Sequence, residues 1–179
     1  DPDATVDLIQ HYFGDMKSGE VKPYTFEKED PIRSPEIIEV TGVSPEFVYI
    51  GYRFDGVDSR DADLLTLTDM ILMNGQAGLI DLDLAQQQKV LNPATYPYVA
   101  EDYSDLTLFG MPRPNQTLEE VTELLTNEVD KIANGEFDDW LIEAGIRALK
   151  LGKIQAIENN SSRVRMITDA YVKGSPWEN

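Results

Sequence analysis

The chain has 179 residues, with 33 Asp and Glu against 15 Lys and Arg, so its formal net charge is −18. A surface of this charge repels phosphate backbones and anionic lipid headgroups, which argues against nucleic acid and membrane surfaces as partners. Hydrophobic residues make up 41% of the chain, which is enough to build a folded core. The composition leaves two roles open for the acidity: attraction of basic peptides, or solubility alone.

Cys is absent and His11 is the single histidine. These counts argue against most known kinds of hydrolytic active site. Zincin and inverzincin sites take two His ligands from one helix, so neither H-E-x-x-H nor H-x-x-E-H exists here. A Ser–His–Asp centre would also need His11, and no G-x-S-x-G motif accompanies it. His11 lies at helical spacing from Asp7 and Asp15, which predicts a surface ion pair rather than a metal ligand.

The first part of the chain predicts a helix and then an irregular connector. Val6, Ile9 and Phe13 recur at helical spacing, and Gly14 follows where a helix would end. The next twenty residues are rich in Gly, Pro and charge, a composition that breaks regular structure. One short strand is expected within them, around Tyr24–Phe26.

Four strands are predicted further on as two antiparallel pairs. Glu36–Thr41 and Phe47–Phe54 are rich in β-branched and aromatic residues and flank a turn, which predicts a hairpin. Tyr96–Glu101 and Leu106–Met111 form the second predicted pair. Gly51, inside the second strand, is expected to mark a close backbone approach.

Five helices are predicted after the first hairpin from apolar residues at helical spacing. They begin near Asp58 or Ser59, Gly78, Thr117, Asp138 or Asp139, and Ser161. Thr117 and Glu120 fit the capping box, and Gly135 stands where a left-handed C-terminal residue is needed. The fourth of these helices is expected to pack closely on a neighbour, because it contains the small residues Ala144, Gly145, Ala148 and Gly152. The turn at 75–78 is too short for a phosphate-binding loop.

These elements predict a two-layer α+β domain, an antiparallel or mixed sheet with helices on one face. Residues 1–19 are interpreted as a helix and connector carried over from a preceding region, and residues 20–179 as a single domain. An acidic cluster surrounds the turn before the first long helix, at Asp55, Asp58, Asp61 and Asp63. It lacks the Gly and Glu spacing of an EF-hand, so helix capping is favoured over a cation site.

The order of these elements resembles the second-half domains of the pitrilysin/insulinase-type zinc peptidases, the mitochondrial-processing-peptidase-like fold. The segments that carry the resemblance are Val6–Gly14, Phe47–Phe54, Leu64–Leu84, Leu118–Ile132, Phe137–Ala144 and Lys173–Pro176. The resemblance implies a non-catalytic domain that encloses a peptide substrate. It also implies that zinc and its H-x-x-E-H helix lie in another domain, so no cofactor is expected in this chain.

In that family the second-half domain supplies an Arg and a Tyr that hold substrate. Lys89 and Tyr96 fall at about this spacing, so the resemblance implies them as substrate-binding residues; the alternative is that both are ordinary surface and strand residues. The Arg itself is missing, and Gln86–Gln88 departs from the usual charged run. The family also continues with a further helix, so the chain is expected to be part of a longer one.

The expected partners are other domains of the same polypeptide or a sibling subunit, together with a peptide substrate, and no membrane insertion is expected. Two alternatives stay open at this stage. In the first, the parent protein is an inactive family member that acts as a binding or assembly subunit. In the second, the acidic cluster makes the chain a divalent-cation-binding domain.

Overall fold

The computed structural model describes residues 1–20, 22 and 24–174. Backbone contacts divide the chain into two compact units, Asp1–Gly42 and Val43–Asn179. Among the described residues, the second unit holds all the strands and four of the five α-helices. The expected boundary between residues 19 and 20 stays a prediction.

Helix α1, Pro2–Phe13, belongs to the first unit. Oδ1 of Asp1 caps this helix by accepting the N–H of Asp3 at 3.0 Å. Pro2 stands at the first helical position, where a missing N–H costs nothing because it would have had no partner in the helix. The helix ends at Gly14, as the spacing predicts.

The rest of the first unit lacks the strands predicted for it. Described residues 24–42 contain no helix or strand, so the strands expected at Tyr24–Phe26 and Glu36–Thr41 are wrong. The rings of Tyr24 and Phe26 stack on each other instead, with centroids 5.9 Å apart. Aromatic and β-branched residues favour an extended backbone, but a strand forms only where a second strand pairs with it.

A three-stranded antiparallel sheet forms one layer of the second unit. Its strands are β1, Val48–Asp55; β2, Leu91–Val99; and β3, Tyr103–Met111, in the spatial order β1-β3-β2. The pairing of β2 with β3 confirms the second predicted pair. Strand β1 pairs along its whole length with β3, so the predicted hairpin of residues 36–41 with 47–54 is wrong. The strand that pairs with β1 is determined by the register that buries its apolar side chains, and not by which extended segment is nearest in the sequence.

Strand β2 is an edge strand and contains Pro93 and Pro97. Proline has no N–H to donate to a ladder, which confines it to sheet edges and bulges. The register of β2 shifts between Leu91 and Ala94, and Asn92 between them has a φ of 48°. This bulge confines the irregularity to the start of β2, and pairing with β3 is regular from Ala94 to Val99.

Helices cover one face of this sheet, which confirms the two-layer α+β prediction. The helices on the sheet are α2, Arg60–Leu72, and α3, Leu118–Ala133. Helix α4, Trp140–Glu158, packs on α2, and α5, Asn160–Val172, packs on α4. Oγ of Ser59 caps α2 by accepting the N–H of Ala62 at 3.2 Å. The helix predicted over 78–88 is largely a π-helical turn at Asp81–Ala85.

The capping box predicted for α3 is confirmed. The N–H of Glu120 donates to Oγ1 of Thr117 at 3.2 Å, and the N–H of Thr117 donates to Oε2 of Glu120 at 3.0 Å. Gly135 after the helix has a φ of 71°, as expected. Asp139 occupies the cap position of α4, but its side chain makes no capping bond. The family motif at 173–176 falls partly outside the described residues, at Ser175 and Pro176.

The main core lies between the sheet and helices α2 and α3. Its buried side chains are Leu65, Leu72, Ile80, Leu84, Val90, Leu106, Leu108, Val121 and Leu125. Removing such a side chain from water stabilises the fold by roughly 1.5–3 kcal/mol. A smaller cluster of Ile71, Leu79 and Leu141 joins α2 to α4.

Gly145 sets how closely α4 approaches α2. A Cβ built on this glycine would lie 3.1 Å from Cδ1 of Leu67 and 3.3 Å from Cβ of Met70. Gly152, two turns further along α4, has no atom within 4 Å of the same position. The predicted close packing is therefore confirmed at Gly145.

One buried carboxylate holds the turn that follows α2. Oδ2 of Asp81 accepts the backbone N–H groups of Asn74 at 2.9 Å, Gly75 at 2.9 Å and Gly78 at 3.1 Å. Gly75 has a φ of 81°, and a Cβ on Gly78 would lie 2.5 Å from the carbonyl oxygen of Leu72. Charge-assisted bonds of this kind are roughly twice as strong as neutral ones. They anchor the turn to the π-helical segment.

An ion network ties the π-helical turn to α3. Nζ of Lys131 lies 2.6 Å from Oδ2 of Asp83 and 2.8 Å from Oε2 of Glu128. Burial raises the pKa of Glu128, against the opposing effect of the lysine. Burial lowers the pKa of Lys131, but its bonds to the two carboxylates outweigh burial and raise it.

Asp69 is another buried carboxyl, on the face of α2 that packs against the sheet. It is 7% exposed, and its Oδ1 has no hydrogen-bond partner among the described residues. Burial raises the pKa of Asp69, while a hydrogen bond from Thr95 of β2 acts in the opposite direction. The unfolded chain therefore releases this proton at a lower pH than the folded chain. The contribution of Asp69 to stability is full below the unfolded pKa and falls as pH rises toward the folded one.

We expect Asp81→Ala to lower the free energy of unfolding by about 3 kcal/mol, because three backbone N–H groups lose their acceptor. Urea denaturation of the 179-residue chain measures this change. Glu123→Ala removes an exposed carboxylate from α3 and serves as the control, with an expected change within about 0.5 kcal/mol. A loss no larger than that of the control would contradict the role given to Asp81.

We expect Gly145→Leu to destabilise the chain by about 1–3 kcal/mol, because the new side chain meets Leu67 and Met70. Gly152→Leu is the matched control, since its side chain enters open space on the same helix. The control should raise stability by up to about 1 kcal/mol through helix propensity. Thermal unfolding distinguishes the two variants, and equal midpoints would show that α4 does not approach α2 this closely.

We expect Asp69→Asn to raise the free energy of unfolding at pH 7 by about 1 kcal/mol, because no charge is buried in the variant. For a chain of this size that corresponds to a rise of about 2–4 °C in Tm. The difference from the wild type should vanish below about pH 4, where the unfolded carboxyl is protonated. Asp63→Asn, at an exposed position on the same helix, is the control. A variant less stable than wild type at pH 7 would refute the argument.

Candidate functional site

The sheet of the second unit has one face under the helices and one open face. Along β3, Ser104, Leu106, Leu108 and Gly110 are buried, whereas the residues between them are half-buried. The cross-strand register carries this alternation into both neighbours. Tyr49 is 60% exposed, Tyr96 52% and Tyr98 63%. Within residues 43–174, side chains from all three strands are exposed to solvent on this side of the sheet, which we call the open face.

Three aromatic rings form a cluster at one end of the open face. The ring centroid of Tyr49 lies 5.0 Å from that of Phe109 and 5.4 Å from that of Phe47. The rings of Phe47 and Phe109 are 5.9 Å apart. Spacings of this size are typical of favourable aromatic pairs, worth about 0.5–1.5 kcal/mol each. The cluster is therefore an ordered apolar surface rather than a set of separate exposed residues.

A glycine lies beside this cluster, at the centre of the open face. Gly51 of β1, Thr107 of β3 and Tyr96 of β2 form one row across the three strands. A Cβ placed on Gly51 would have no atom within 4 Å. The expected close backbone approach at Gly51 is therefore wrong, because this position faces open space.

The far end of the open face is charged. The guanidinium carbon of Arg53 lies 5.3 Å from the ring centroid of Tyr103, a cation–π geometry. Asp55 ends β1 on this face, opposite Tyr103. A Cβ on Gly56 would lie 1.9 Å from the carbonyl oxygen of Glu101, so the turn after β1 packs on the turn between β2 and β3. Carboxylates of two turns are brought to the same end of the sheet.

Lys89 and Tyr96, implied by the resemblance, lie at different points of the β2 region. Lys89 is half-buried before the strand; its N–H donates to the carbonyl of Leu84 at 2.9 Å, and its carbonyl accepts from Gln116 at 3.0 Å. Tyr96 is exposed at the centre of the open face. The extended strand between Leu91 and Tyr96 is roughly 15 Å long. The two residues therefore lie at separate points along this part of the chain, and their role in binding stays a prediction.

A concave surface lies beside Lys89 and was not predicted from the sequence. It is an open groove whose lining includes Gln87, Gln88, Asn92 and Arg113. Gln88 and Asn92 have left-handed φ values of 52° and 48°, a backbone conformation that costs free energy in a residue other than Gly. The Asn92–Pro93 dipeptide is a turn signal that marks this bend in the sequence.

The remaining sequence candidates do not assemble into a site. Among the described residues, no group of three or more His, Cys, Asp or Glu is arranged to hold a metal ion. The ring of His11 meets that of Tyr12 edge-on at 5.0 Å. The predicted ion pair of His11 with Asp7 or Asp15 is not formed in the described part of the chain. None of helices α1–α5 combines the length and apolar character that crossing a bilayer requires.

Comparisons with known proteins agree with the fold. A protein-family model described as the Peptidase M16 inactive domain matches residues 1–149. The crystal structure of a protease from Helicobacter pylori is similar with a TM-score of 0.80 and 18% sequence identity, over 97% of this chain and 43% of that chain. Identity at this level shows a shared fold alone. Curated proteins gave no match.

The family model covers all of α1, β1, α2, β2, β3 and α3, and the first half of α4. It therefore spans most of the segments on which the resemblance to the pitrilysin/insulinase-type peptidases rests, and that resemblance is confirmed. The chain spans less than half of the Helicobacter pylori protease to which it is similar. This chain belongs to the M16 peptidase family, as a domain of its inactive, non-catalytic type.

Proposed function

We propose that this domain forms part of the wall of a peptide-enclosing chamber in a zinc-dependent metalloendopeptidase. In this proposal another domain of the same polypeptide, or a sibling subunit, holds the zinc ion and the catalytic residues. Zinc would activate water there, with a Glu as general base. This domain would bind and orient the peptide.

The observation that supports the proposal most directly is the open face of the sheet. Aromatic side chains that are about half exposed are costly to leave in water and are typical of binding surfaces. Tyr96, one of the two residues implied by the family, lies at the centre of this face. A surface that is apolar at one end and charged at the other can hold a peptide without catalysing any reaction.

A second apolar surface supports association with other domains. Helices α4 and α5 pack together, and several of their apolar side chains are about half exposed. These are Leu151, Ile154, Ile157, Val164 and Ile167. Exposed apolar side chains on two packed helices support a protein contact here. In this proposal a neighbouring domain binds at helices α4 and α5, and the open face of the sheet remains free for the peptide.

The first test separates binding from cleavage. We expect the 179-residue chain, with added zinc, to bind fluorescent basic peptides and to leave them intact, because a single histidine cannot build the two-histidine centre of this family. Fluorescence anisotropy measures the binding, and mass spectrometry of the same mixtures measures cleavage. Chelator-sensitive cleavage by this chain alone would overturn the proposal.

The same assay tests the implied binding residues. Tyr96→Ala and Lys89→Ala should each weaken binding about 3–10-fold, the loss of roughly 0.6–1.4 kcal/mol of interaction. Tyr171→Ala and Lys150→Ala, exposed residues on α5 and α4, are the matched controls and should change nothing. Equal effects in the two sets would refute the assignment of Lys89 and Tyr96 while leaving the open face to be mapped by other variants.

The alternative that the parent is a binding or assembly subunit would share the open face. The two functions differ in the rest of the polypeptide, where an H-x-x-E-H helix is required only by the peptidase. Zinc analysis of the full-length protein distinguishes them: about one tightly bound zinc per chain supports the peptidase, and a metal-free, inactive full-length protein supports the subunit.

A further inference from the structure

We infer that Asn134 is a site of spontaneous deamidation, at which the side-chain amide reacts with the backbone nitrogen of Gly135 and becomes a carboxylate. The inference is independent of the proposed function, because the reaction needs no partner other than water. It concerns the exposed end of helix α3, which neither the resemblance nor the comparisons single out.

The chemistry requires an asparagine whose side chain can reach the nitrogen of the next residue. That nitrogen loses its proton and attacks Cγ of the asparagine, and ammonia leaves as a five-membered succinimide ring closes. Water then opens the ring at either carbonyl, which gives aspartate or isoaspartate. Glycine is the most favourable next residue, because it has no side chain to hinder the attack and its backbone is the least restricted.

The Asn–Gly dipeptide occurs twice in the chain, at residues 74–75 and 134–135. The sequence alone predicts the same reactivity for both, because the reacting atoms are identical. The structure distinguishes them. Asn74 is half-buried in the turn after α2, whereas Asn134 is exposed at the C-terminal cap of α3.

At the first dipeptide the fold holds both reacting groups. Oδ1 of Asn74 accepts the N–H of Gln76 at 3.1 Å and that of Ala77 at 2.9 Å. Its Nδ2 donates to the carbonyl of Met70 at 3.1 Å. The N–H of the following glycine donates to the buried Asp81 carboxylate at 2.9 Å. Ring closure at this position has to break all four hydrogen bonds.

At the second dipeptide the amide is free to move. The side chain of Asn134 makes no hydrogen bond to any residue that the structure describes. The N–H of Gly135 donates to the carbonyl of Ile132 at 3.0 Å, within the last turn of α3. Because helix ends fray, this single exposed bond opens more readily than the four at Asn74. The fold therefore directs deamidation to Asn134.

The product places a negative charge where α3 is least able to accept one. The C-terminal end of a helix carries a partial negative charge, so a new carboxylate there is destabilising. Isoaspartate also lengthens the main chain beside Gly135, whose φ is 71°, in a turn closed by the N–H of Glu136 on the carbonyl of Lys131 at 2.7 Å. Both products therefore weaken the end of the helix.

The test compares the two dipeptides in one molecule. The 179-residue chain is incubated in mildly alkaline buffer, folded or unfolded in guanidinium chloride, and then digested with trypsin. The two asparagines fall in different tryptic peptides, since Lys89 and Lys131 separate them. Mass spectrometry measures the gain of one mass unit in each peptide over time.

We expect Asn134 to react at least about tenfold faster than Asn74 in the folded chain, because fewer hydrogen bonds must break. The rate should rise with pH, since the attacking nitrogen must lose its proton. In guanidinium chloride the two rates should become similar. Asn134→Gln is the matched control: its amide has to close a larger ring, so the 132–147 peptide should keep its mass.

Thermal unfolding tests the structural consequence. Asn134→Asp supplies the charge of the product and should lower Tm by about 1–4 °C, whereas Asn134→Gln should match the wild type. A Tm of Asn134→Asp equal to that of the wild type would refute the effect on α3.

Equal rates at the two asparagines in the folded chain, or a faster reaction at Asn74, would overturn the inference. So would a folded chain in which Asn134 keeps its amide while both sites react in guanidinium chloride, because the last turn of α3 would then protect it. A chain whose Asn134 is unreactive even when unfolded would refute the chemistry itself. None of these results bears on peptide binding, so the proposed function is judged separately.

Discussion

The pairing of β3 with a strand on each of its edges is the constraint on which the rest of the second unit depends. Because residues 104–109 of β3 pair with both neighbouring strands, the alternation of buried and half-buried side chains along β3 is imposed on the whole sheet. Leucines on one side fix where α2 and α3 pack, and the same register places Thr107 and Phe109 on the other side. Core and open face are two results of one register, since a shift by a single residue would exchange them.

Local signals in the sequence predicted the elements whose geometry is decided locally. The capping box of Thr117 and Glu120 and the left-handed Gly135 need only neighbours within one turn, and both were found as expected. The alternation of β3 is equally visible in the sequence. The error at Glu36–Thr41 has a different origin, because β1 pairs with a strand 48–62 residues later rather than with the segment that precedes it. Composition identifies an extended segment but does not identify its partner.

The candidate site was less predictable than the fold, for the same reason. The family resemblance supplied Lys89 and Tyr96, but the position of Gly51 beside Thr107 and Tyr96 on the open face follows only from the pairing of the three strands. A glycine in a strand signals either close contact or empty space, and the sequence cannot tell these apart. The turn held by Asp81 was also not predicted from the sequence. Its carboxylate and the three backbone donors are separated by three to seven residues, and no known short motif indicates these hydrogen bonds.

The prolines of β2 have a consequence for how the sheet can grow. Within residues 43–174, β1 and β2 each have one outer edge without a neighbouring strand. Pro93 and Pro97 remove two N–H donors from β2, and the bulge at Asn92 twists its start out of line. A foreign strand would find a poor template there. Sheet extension, whether by a natural neighbour or by aggregation of unfolded chains, is thereby directed to the β1 edge.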